Sequence, residues 1–164
     1  MSNKICTFLK KLVMKEEYRI VDGYDGVYQV SNLGEVRSTD RYVKQNGGVL
    51  ELRKGKPLKQ DINKYRNNYH SVCLSKDGNV KRVTVHKLVA KAFPEICGEW
   101  FEGCEIDHLD CNPHNNVATN LRVTDKKGNM NNPNTKINCS LAYTDERRNS
   151  YSIRMKLNNP NKKK

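Results

Sequence analysis

The chain has 164 residues, which suffices for one domain of ordinary size or two small ones and excludes a large enzyme built on a deep multi-layered core. Its 30 Lys and Arg residues outnumber 18 Asp and Glu residues, and the net charge of +12 favours a polyanion as partner. A very soluble basic protein and a protein that binds acidic lipid have a similar charge, so both alternatives stay open at this point.

Six cysteines are spread along the chain. The first apolar run, residues 5–13, contains two lysines, whereas an export signal needs an uninterrupted apolar segment. We therefore expect reduced thiols in a cytoplasmic protein. Cys97, Cys104 and Cys111 recur at seven-residue intervals but lack the paired spacing of structural zinc sites, so zinc is the less favoured alternative. No run of about 18 apolar residues occurs, which predicts that the protein spans no membrane.

Residues 1–14 are interpreted as an N-terminal extension. Apolar residues recur there at helical spacing between lysines, as in a short amphipathic helix. Alternatively, Met14 is the true initiator, because the motif that begins next needs nothing before it.

Residues 15–80 are predicted to form a β-rich module. Three short β-prone runs, 18–21, 27–30 and 35–37, are separated by Asp-Gly, Asp-Gly and Asn-Leu-Gly. Gly and Asn tolerate the positive φ of tight turns, so this pattern predicts a small antiparallel sheet.

The same stretch resembles the β-rich DNA-binding motif found ahead of HNH nucleases in phage and intron-encoded endonucleases. Tyr18 stands where that family often has Trp, and Asp25 replaces a Glu. The resemblance implies binding to double-stranded DNA, with Arg37 and Ser38 as surface contacts. The matching residues are Gly23, Tyr24, Gly26, Tyr28, Val30, Ser31, Asn32, Gly34, Val36, Arg37 and Ser38.

Residues 40–57 contain Gly and Pro punctuation that predicts loops rather than a packed element. Lys54 and Lys56 in this segment could follow a phosphate backbone, although a solvated loop explains them nearly as well. Strand-like runs return at 69–74 and 80–85 around an Asp-Gly sequence, which predicts a hairpin.

Residues 85–93 change to helical spacing, which predicts a helix that Pro94 ends. This stretch resembles the V-H-R-L-V-A-x-A-F helix that leads into HNH sites of the same family. His86 is either the first histidine of that motif or a structural residue, and we interpret it as a support of the site.

The segment from Glu105 to Asn132 packs an Asp-His pair, a loop of amides and a downstream Asn into few residues. Strand, loop, strand and helix in this order form the minimal ββα-metal unit. The predicted elements are a strand at 104–108, a loop at 110–116, a strand at 120–124 and a helix at 125–131 with Thr124 or Asp125 as its cap.

Three residues of this segment suit phosphodiester hydrolysis. Asp107 and Asn129 can offer a carboxylate and an amide oxygen to a hard divalent cation, Mg²⁺ or Mn²⁺, and leave positions for phosphate and water. His108 can take the proton from the attacking water. Because neighbours in a regular strand point to opposite faces, Asp107 and His108 can converge only if the strand ends there.

The segment resembles the HNH nuclease motif, approximately D-H-x-D-G-N-x-x-N-N-x-x-x-N-L-R-W-V-T-x-x-x-N. The resemblance implies that Asp107 and Asn129 bind the metal, His108 is the general base and Asn120 braces the loop. The other residues expected at the site are Asn116 and His86 as supports, and Arg122, Lys126 and Lys127 as DNA contacts.

Three departures from the motif concern the geometry of the site. Cys111 replaces the loop Gly, so the turn is expected to adopt a conformation compatible with a Cβ. The Trp of the second strand is missing and Val123-Thr124 follows Arg122 directly, which moves Thr124 one place earlier relative to Asn129. Gly128 is expected to weaken the helix that aims Asn129.

The sequence as a whole predicts an α+β protein in which a small antiparallel β module precedes a ββα-metal (HNH, His-Me finger) nuclease unit. We place the nuclease unit at 81–133 and a basic tail at 134–164. The function implied is a metal-dependent HNH endonuclease of the homing or phage type, a monomer or weak dimer in the cytoplasm of a bacterial or phage-infected cell. The alternative is a DNA-binding protein with the same fold and little or no activity.

Overall fold

The computed structural model describes residues 14–62 and 68–142. The helix expected before Met14 and most of the expected basic tail lie outside these residues. The strands are β1 (Tyr18–Ile20), β2 (Tyr28–Ser31), β3 (Val36–Ser38), β4 (Arg41–Lys44), β5 (Leu50–Arg53), β6 (Asp61–Ile62), β7 (His70–Lys76), β8 (Asn79–Thr84), β9 (Glu105–His108) and β10 (Leu121–Thr124). The helices are α1 (Val85–Ala92), α2 (Pro94–Cys97), α3 (Lys126–Met130) and α4 (Pro133–Ala142), with a 3-10 turn at Ala118–Asn120.

Strands β1, β2 and β3 form the predicted antiparallel sheet in chain order. The connection from β1 to β2 contains three residues at positive φ, Gly23, Asp25 and Gly26. The Asp-Gly signals therefore mark the turn correctly, and the N-terminal β module is confirmed.

The prediction of loops at 40–57 is wrong for much of this segment. Strands β4 and β5 pair in an antiparallel hairpin, and Gly47 and Gly48 adopt positive φ in its turn. All four residues of β5 are exposed. No residue of either strand is buried, and the four-residue alternation Leu-Glu-Leu-Arg in β5 is too short to outweigh the Gly and Pro residues around it.

Strands β6, β7 and β8 form a second antiparallel sheet, in which β7 and β8 are the predicted hairpin. Val72 and Leu74 on β7 are buried and alternate with exposed Cys73. The turn residues Asp77 and Gly78 both have positive φ, as a two-residue hairpin turn requires.

Helix α1 confirms the helix predicted from residue 85. It ends at Phe93, whose φ of −127° and ψ of 58° leave the helical region, and Pro94 then begins α2. The buried face of α1 joins the core between the β module and the nuclease-like unit. Core residues from both parts include Val30, Val36, Val72, Leu74, Val85, Val89, Phe93 and Leu121.

Strands β9 and β10 pair in antiparallel register, with Leu121 opposite His108 and Arg122 opposite Asp107. Helix α3 follows β10 directly, and the Asp125 side chain caps it by accepting a hydrogen bond of 2.7 Å from the Gly128 amide. This arrangement confirms the predicted strand, loop, strand and helix unit. Of the two expected caps, Asp125 is the one used.

Two expectations from composition can be compared with the described residues. The four cysteines found there, Cys73, Cys97, Cys104 and Cys111, are free thiols. Within the same two segments, no helix is both long and apolar enough to cross a membrane.

The turn after β2 docks on the nuclease-like unit. Ser31 organises the turn, since its Oγ accepts hydrogen bonds from the amides of Leu33 and Glu35 at 3.3 and 3.0 Å. The carbonyl of Asn32 accepts a hydrogen bond of 2.8 Å from the Ala118 amide. The S-N-x-G sequence therefore builds a contact surface for the segment that contains Asn116 to Ala118.

Gly34 completes this contact surface. Its φ is +90°, and a Cβ placed on it would lie 3.0 Å from the Cβ of Asn116 and 3.1 Å from the Asn116 carbonyl oxygen. Both the backbone conformation and the close approach require glycine at this position.

We expect Gly34→Ala to destabilise the protein more than Gly26→Ala. Both glycines have positive φ, but no atom of the described residues lies within 4 Å of a Cβ built on Gly26, so this variant isolates the backbone strain. The additional loss for Gly34→Ala should be about 1–3 kcal/mol, the usual cost of overpacking. Urea unfolding of both variants measures it, and equal losses would contradict a tight contact between the turn and Asn116.

Candidate active site

Asp107 and His108 are both buried at the end of β9. The strand ends at His108, as expected, but the two side chains contact different groups. Asp107 faces Arg122 and Asn132, whereas His108 faces Asn116 and two aromatic rings. The residues are near enough for the Asp107 carboxylate to favour the protonated form of His108.

The His108 ring is held on two sides. Its Nε2 lies 3.3 Å from Oδ1 of Asn116, and the Tyr69 ring stacks on it at a centroid distance of 5.8 Å and an interplanar angle of 14°. Because an amide oxygen can only accept, Nε2 carries the hydrogen and Nδ1 keeps its lone pair. This is the tautomer that a general base at Nδ1 requires.

Burial lowers the pKa of His108 below its ordinary 6.5. The hydrogen bond to Asn116 and the carboxylates of Asp110 and Asp107 act in the opposite direction without cancelling the effect of burial. His108 is therefore neutral at physiological pH, as a proton acceptor must be.

His86 packs edge-on against both rings of this cluster. Its centroid lies 5.3 Å from that of His108 and 4.5 Å from that of Tyr69. Nε2 lies 3.3 Å from the Thr84 hydroxyl, while Nδ1 is buried without a hydrogen-bond partner among the described residues. Burial, followed by the charges of His108 and Lys87, lowers the pKa of His86 to about 3. His86 is thus a neutral packing partner of His108.

Asp107 uses both carboxylate oxygens. Oδ1 accepts a hydrogen bond of 2.8 Å from Nδ2 of Asn132, and Oδ2 lies 2.7 Å from Nη2 of Arg122. Nδ2 of Asn132 also reaches the His108 carbonyl at 3.2 Å. The side-chain oxygen of Asn132 accepts from the Asn134 amide at the start of α4, which fixes the amide group.

Asn129, the other expected metal ligand, contacts a different carboxylate. Its Nδ2 donates a hydrogen bond of 2.6 Å to Oε2 of Glu105. Glu105 and Asp107 lie two residues apart on β9 and so share a face of the strand. The amide contact at Asp107 comes from Asn132, so the sequence-predicted pair is not joined directly.

Asn120 braces the loop that follows His108. Its Nδ2 donates to Oδ1 of Asp110 and to the Asn115 carbonyl, both at 2.9 Å. Its Oδ1 accepts from the Asp110 amide at 3.2 Å, and its carbonyl accepts from the Leu109 amide at 2.9 Å. One buried amide thereby ties both ends of the loop together.

The expectation for Cys111 is wrong. The turn keeps the left-handed conformation typical of glycine, with φ of 58° at Cys111. A non-glycine residue costs about 1–2 kcal/mol in this conformation. The thiol lies 3.2 Å from the Thr135 hydroxyl, so α4 contacts the strained turn.

Gly128, which was expected to weaken the helix, allows a close contact in the structure. A Cβ at this position would overlap with Oγ1 of Thr124 and lie 3.0 Å from Oδ1 of Asp125. Glycine thus lets α3 fold back closely on the end of β10. Asp125 lies four residues before Asn129, the separation that the motif has between its Thr and Asn, so the cap compensates for the missing Trp.

The expected DNA contacts fall into two groups. Arg37 and Ser38 are engaged within the protein, since Arg37 lies 3.5 Å over the Tyr18 ring and Ser38 exchanges hydrogen bonds with the Lys56 backbone. Arg122 is also engaged within the protein, since it pairs with Asp107 at 2.7 Å. The four lysines among the expected contacts have exposed side chains: Lys54, which pairs with Asp40 at 2.9 Å, Lys56, Lys126 and Lys127.

The donor set suits a hard divalent cation. Glu105, Asp107 and Asn129 carry oxygen donors, which Mg²⁺ and Mn²⁺ prefer. The described residues contain no group of three or more His, Cys, Asp or Glu side chains placed to hold a metal ion. A cation here would therefore depend on one or two carboxylates, an amide oxygen, water and phosphate, which is typical of Mg²⁺ sites.

Sequence reasoning missed three residues of this site. Tyr69 stacks on His108 from outside the motif, Glu105 binds the Asn129 amide, and Asn132 binds Asp107. A signal was present only for Asn132, which precedes Pro133 as a helix-capping residue does.

Comparisons with known families match both parts of the chain. The family profile of the NUMOD4 motif matches residues 16–75, and that of an HNH endonuclease matches residues 84–131. Strand β8, Asn79–Thr84, crosses the interval between the two matches.

Two curated relatives and one solved structure are similar. The DNA endonuclease I-HmuI of Bacillus phage SP01 is 40% identical over 116 residues, which are 71% of this chain and 56% of the relative. An uncharacterized HNH endonuclease, L245, of Acanthamoeba polyphaga mimivirus is 31% identical over 104 residues, 63% of this chain and 26% of the relative. The chain thus spans about half or less of these relatives.

The solved structure is titled "DNA binding and cleavage by the HNH homing endonuclease I-HmuI". It superposes with a TM-score of 0.60 at 35% identity and covers 84% of this chain and 67% of the other. Its similarity confirms the architecture of antiparallel strands followed by an HNH-type unit.

We expect His86→Gln to make the fold less sensitive to acid. The unfolded chain protonates His86 below its ordinary pKa of 6.5, whereas the folded protein keeps it neutral down to a pKa of about 3, so stability is lost as the pH falls through this window. Between pH 6.5 and about pH 5, the wild type should lose on the order of 2 kcal/mol more than the variant. Urea unfolding at both pH values measures this difference, and equal losses would contradict it.

Proposed function

Because the chain belongs to the family of HNH homing endonucleases, we propose that it is a divalent-metal-dependent endonuclease that hydrolyses phosphodiester bonds of double-stranded DNA. The observation that carries the proposal is the buried His108 imidazole, held by Asn116 in the tautomer of a general base, next to Asp107. The net charge of +12 suits a DNA partner. Such a protein would act where the DNA lies, in the cytoplasm of a bacterial or phage-infected cell.

DNA binding is proposed to involve both parts of the chain. The β4–β5 hairpin and the segment after it carry exposed Lys54 and Lys56, and α3 begins with Lys126 and Lys127 beside the site. Arg37 and Ser38 hold the β module in shape at the same time, through their contacts with Tyr18 and Lys56. The exposed lysines are proposed to contact DNA phosphates rather than base edges, so they position the duplex without reading its sequence.

His108 is proposed to activate the attacking water. As the water oxygen bonds to phosphorus, its proton passes to Nδ1 of His108, and Asn116 keeps the ring oriented through Nε2. The bond between phosphorus and the 3′ oxygen breaks, and that oxygen takes a proton from solvent. The products are 5′-phosphate and 3′-hydroxyl ends.

Asp107 and Asn129 are the residues proposed to hold Mg²⁺ or Mn²⁺. When bound, the cation supplies Lewis-acid stabilisation of the charge on the phosphate and on the leaving oxygen. Glu105 fixes the Asn129 amide nitrogen and so leaves the amide oxygen available as a donor. Asn132 orients Asp107 from the opposite side.

Incubation of supercoiled plasmid with the full chain and Mg²⁺ or Mn²⁺ tests the proposal. One copy has one such site, so we expect a monomer to nick the plasmid, whereas a dimer would be needed to cut both strands together. His108→Ala should slow cleavage by about 10²–10⁴-fold, because it removes the general base. His114→Ala is the matched control, since His114 is an exposed histidine in the same loop.

Cleavage by His108→Ala at the rate of His114→Ala would sink the catalytic role of His108. Salt-dependent DNA binding without metal-dependent cleavage by the wild type would select the alternative, a DNA-binding protein with an HNH fold.

We further expect Asn116→Asp to move the pH dependence of cleavage to higher pH. A carboxylate at Nε2 favours the imidazolium, which raises the pKa of His108 from its lowered value, so the base is lost at a higher pH as acid is added. The measurement is kcat against pH on the acidic side. An unchanged midpoint would show that Asn116 does not set the proton affinity of His108.

A further inference from the structure

Arg122 occupies the carboxylate that the proposed cation needs. Nη2 of Arg122 lies 2.7 Å from Oδ2 of Asp107, and Oδ1 of the same carboxylate is engaged by Asn132. Asp107 is 4% exposed, so Arg122 provides the charge that compensates this buried anion. A cation at Asp107 must therefore share this carboxylate with Arg122 or replace Arg122.

The Arg122–Asp107 ion pair lacks the geometry of a strong Arg–carboxylate pair. Both hydrogen bonds of the guanidinium in the described structure start from Nη2, the second reaching the Gly128 carbonyl at 3.4 Å. Nε is buried without a hydrogen-bond partner among the described residues. A strong Arg–carboxylate pair uses two parallel hydrogen bonds, and an unpaired buried donor is unfavourable. The Arg122 side chain is also 43% exposed, so it can move from Asp107 toward solvent.

The charges of the two ligands act differently on Arg122, because the metal is a cation and a DNA phosphate is an anion. A divalent cation on Asp107 would repel the guanidinium a few ångströms away, so neither cation binds well in the presence of the other. A DNA phosphate removes this conflict because it offers the guanidinium an anion of matching geometry. Arg122 lies on β10 opposite Asp107, and α3 begins two residues after the end of β10. The exposed lysines Lys126 and Lys127 lie at the start of α3.

We propose that Arg122 is a displaceable counter-ion that couples metal binding to DNA binding. In the free protein Arg122 neutralises Asp107 and competes with the divalent cation. When DNA binds, Arg122 moves to a backbone phosphate, and Oδ2 of Asp107 becomes available to the metal. This inference rests on the proposed function and adds the order in which the site is assembled.

The proposal requires reciprocal effects. If DNA tightens metal binding by a given factor, the metal must tighten DNA binding by the same factor. Without Arg122 the competition disappears, so the metal should bind more tightly in the absence of DNA. Its affinity should then rise by a smaller factor when DNA is added.

Mn²⁺ affinity of the full chain, with and without a short mixed-sequence duplex at low salt, tests the coupling. The His108→Ala background slows cleavage by about 10²–10⁴-fold, and electron paramagnetic resonance of free Mn²⁺ reports binding without relying on turnover. In this background we expect the duplex to tighten Mn²⁺ binding by roughly tenfold, within the usual range of such couplings. The reciprocal shift should appear in duplex affinity measured with and without Mn²⁺.

Three variants separate the local effect of Arg122 from overall charge. Arg122→Gln removes the competing charge and should tighten DNA-free Mn²⁺ binding by about tenfold while reducing the effect of DNA. Lys126→Gln removes one positive charge from a nearby exposed position and should change DNA-free binding by only about twofold or less. Arg122→Lys keeps the charge and should retain most of the competition.

A second measurement keeps the proposal testable if Arg122→Gln does not fold. The side-chain Nε signal of Arg122 in the nitrogen-15 spectrum, assigned by its loss in Arg122→Lys, should shift when Mg²⁺ and duplex are added together. A signal that stays unchanged in the ternary complex would overturn the proposal. Equal or weaker DNA-free Mn²⁺ binding by a folded Arg122→Gln, compared with Lys126→Gln, would overturn it as well.

The outcomes for the two proposals are distinguishable. A wild type that binds no Mn²⁺ and cleaves no plasmid, even with DNA present, would remove both. A wild type that cleaves plasmid and binds Mn²⁺ equally well with and without DNA would remove only the counter-ion role of Arg122.

Discussion

The contact between the Ser31–Gly34 turn and the segment 116–118 is the constraint on which the arrangement of this protein depends. It joins the β module to the loop that carries Asn116, and Asn116 sets the orientation and tautomer of His108. A turn sequence with the pattern of an ordinary hairpin turn therefore contacts the loop whose Asn116 holds a histidine far away in the chain. One carbonyl and one glycine of this turn make the contact with the loop that carries Asn116.

The buried rings around His108 show how this protein obtains a neutral histidine. Tyr69 and His86 exclude water from the imidazole, and burial outweighs the nearby carboxylates in setting its pKa. His86, buried more deeply, stays neutral over nearly the whole working range and adds no charge of its own. The polar half of the site is built from hydrogen bonds instead, because both carboxylate oxygens of Asp107 accept them, one from Arg122 and one from Asn132.

Local sequence signals predicted the elements that local physics determines. Asp-Gly turns, alternating β7 and the Asp125 cap all act within a few residues, and the sheet, hairpin and ββα unit were predicted correctly. The β4–β5 hairpin was not predicted, because its two strands are only four residues long and contain no buried residue. The partners of Asp107 and Asn129 escaped for another reason. Several asparagines follow one another from residue 129, and only the packing of α3 and α4 decides which amide reaches which carboxylate.

The continuous core has a consequence for how such proteins can be recombined. Val30 and Val36 of the β module pack in the same cluster as Val85 and Leu121, so the boundary between the two family matches is not a physical seam. A nuclease unit joined to a foreign β module would lack its hydrophobic complement and the turn that seats its histidine loop. The exposed β4–β5 hairpin contributes neither to this core nor to this turn. We therefore expect that the hairpin can be exchanged without disturbing the core, whereas the two larger parts have to be kept together.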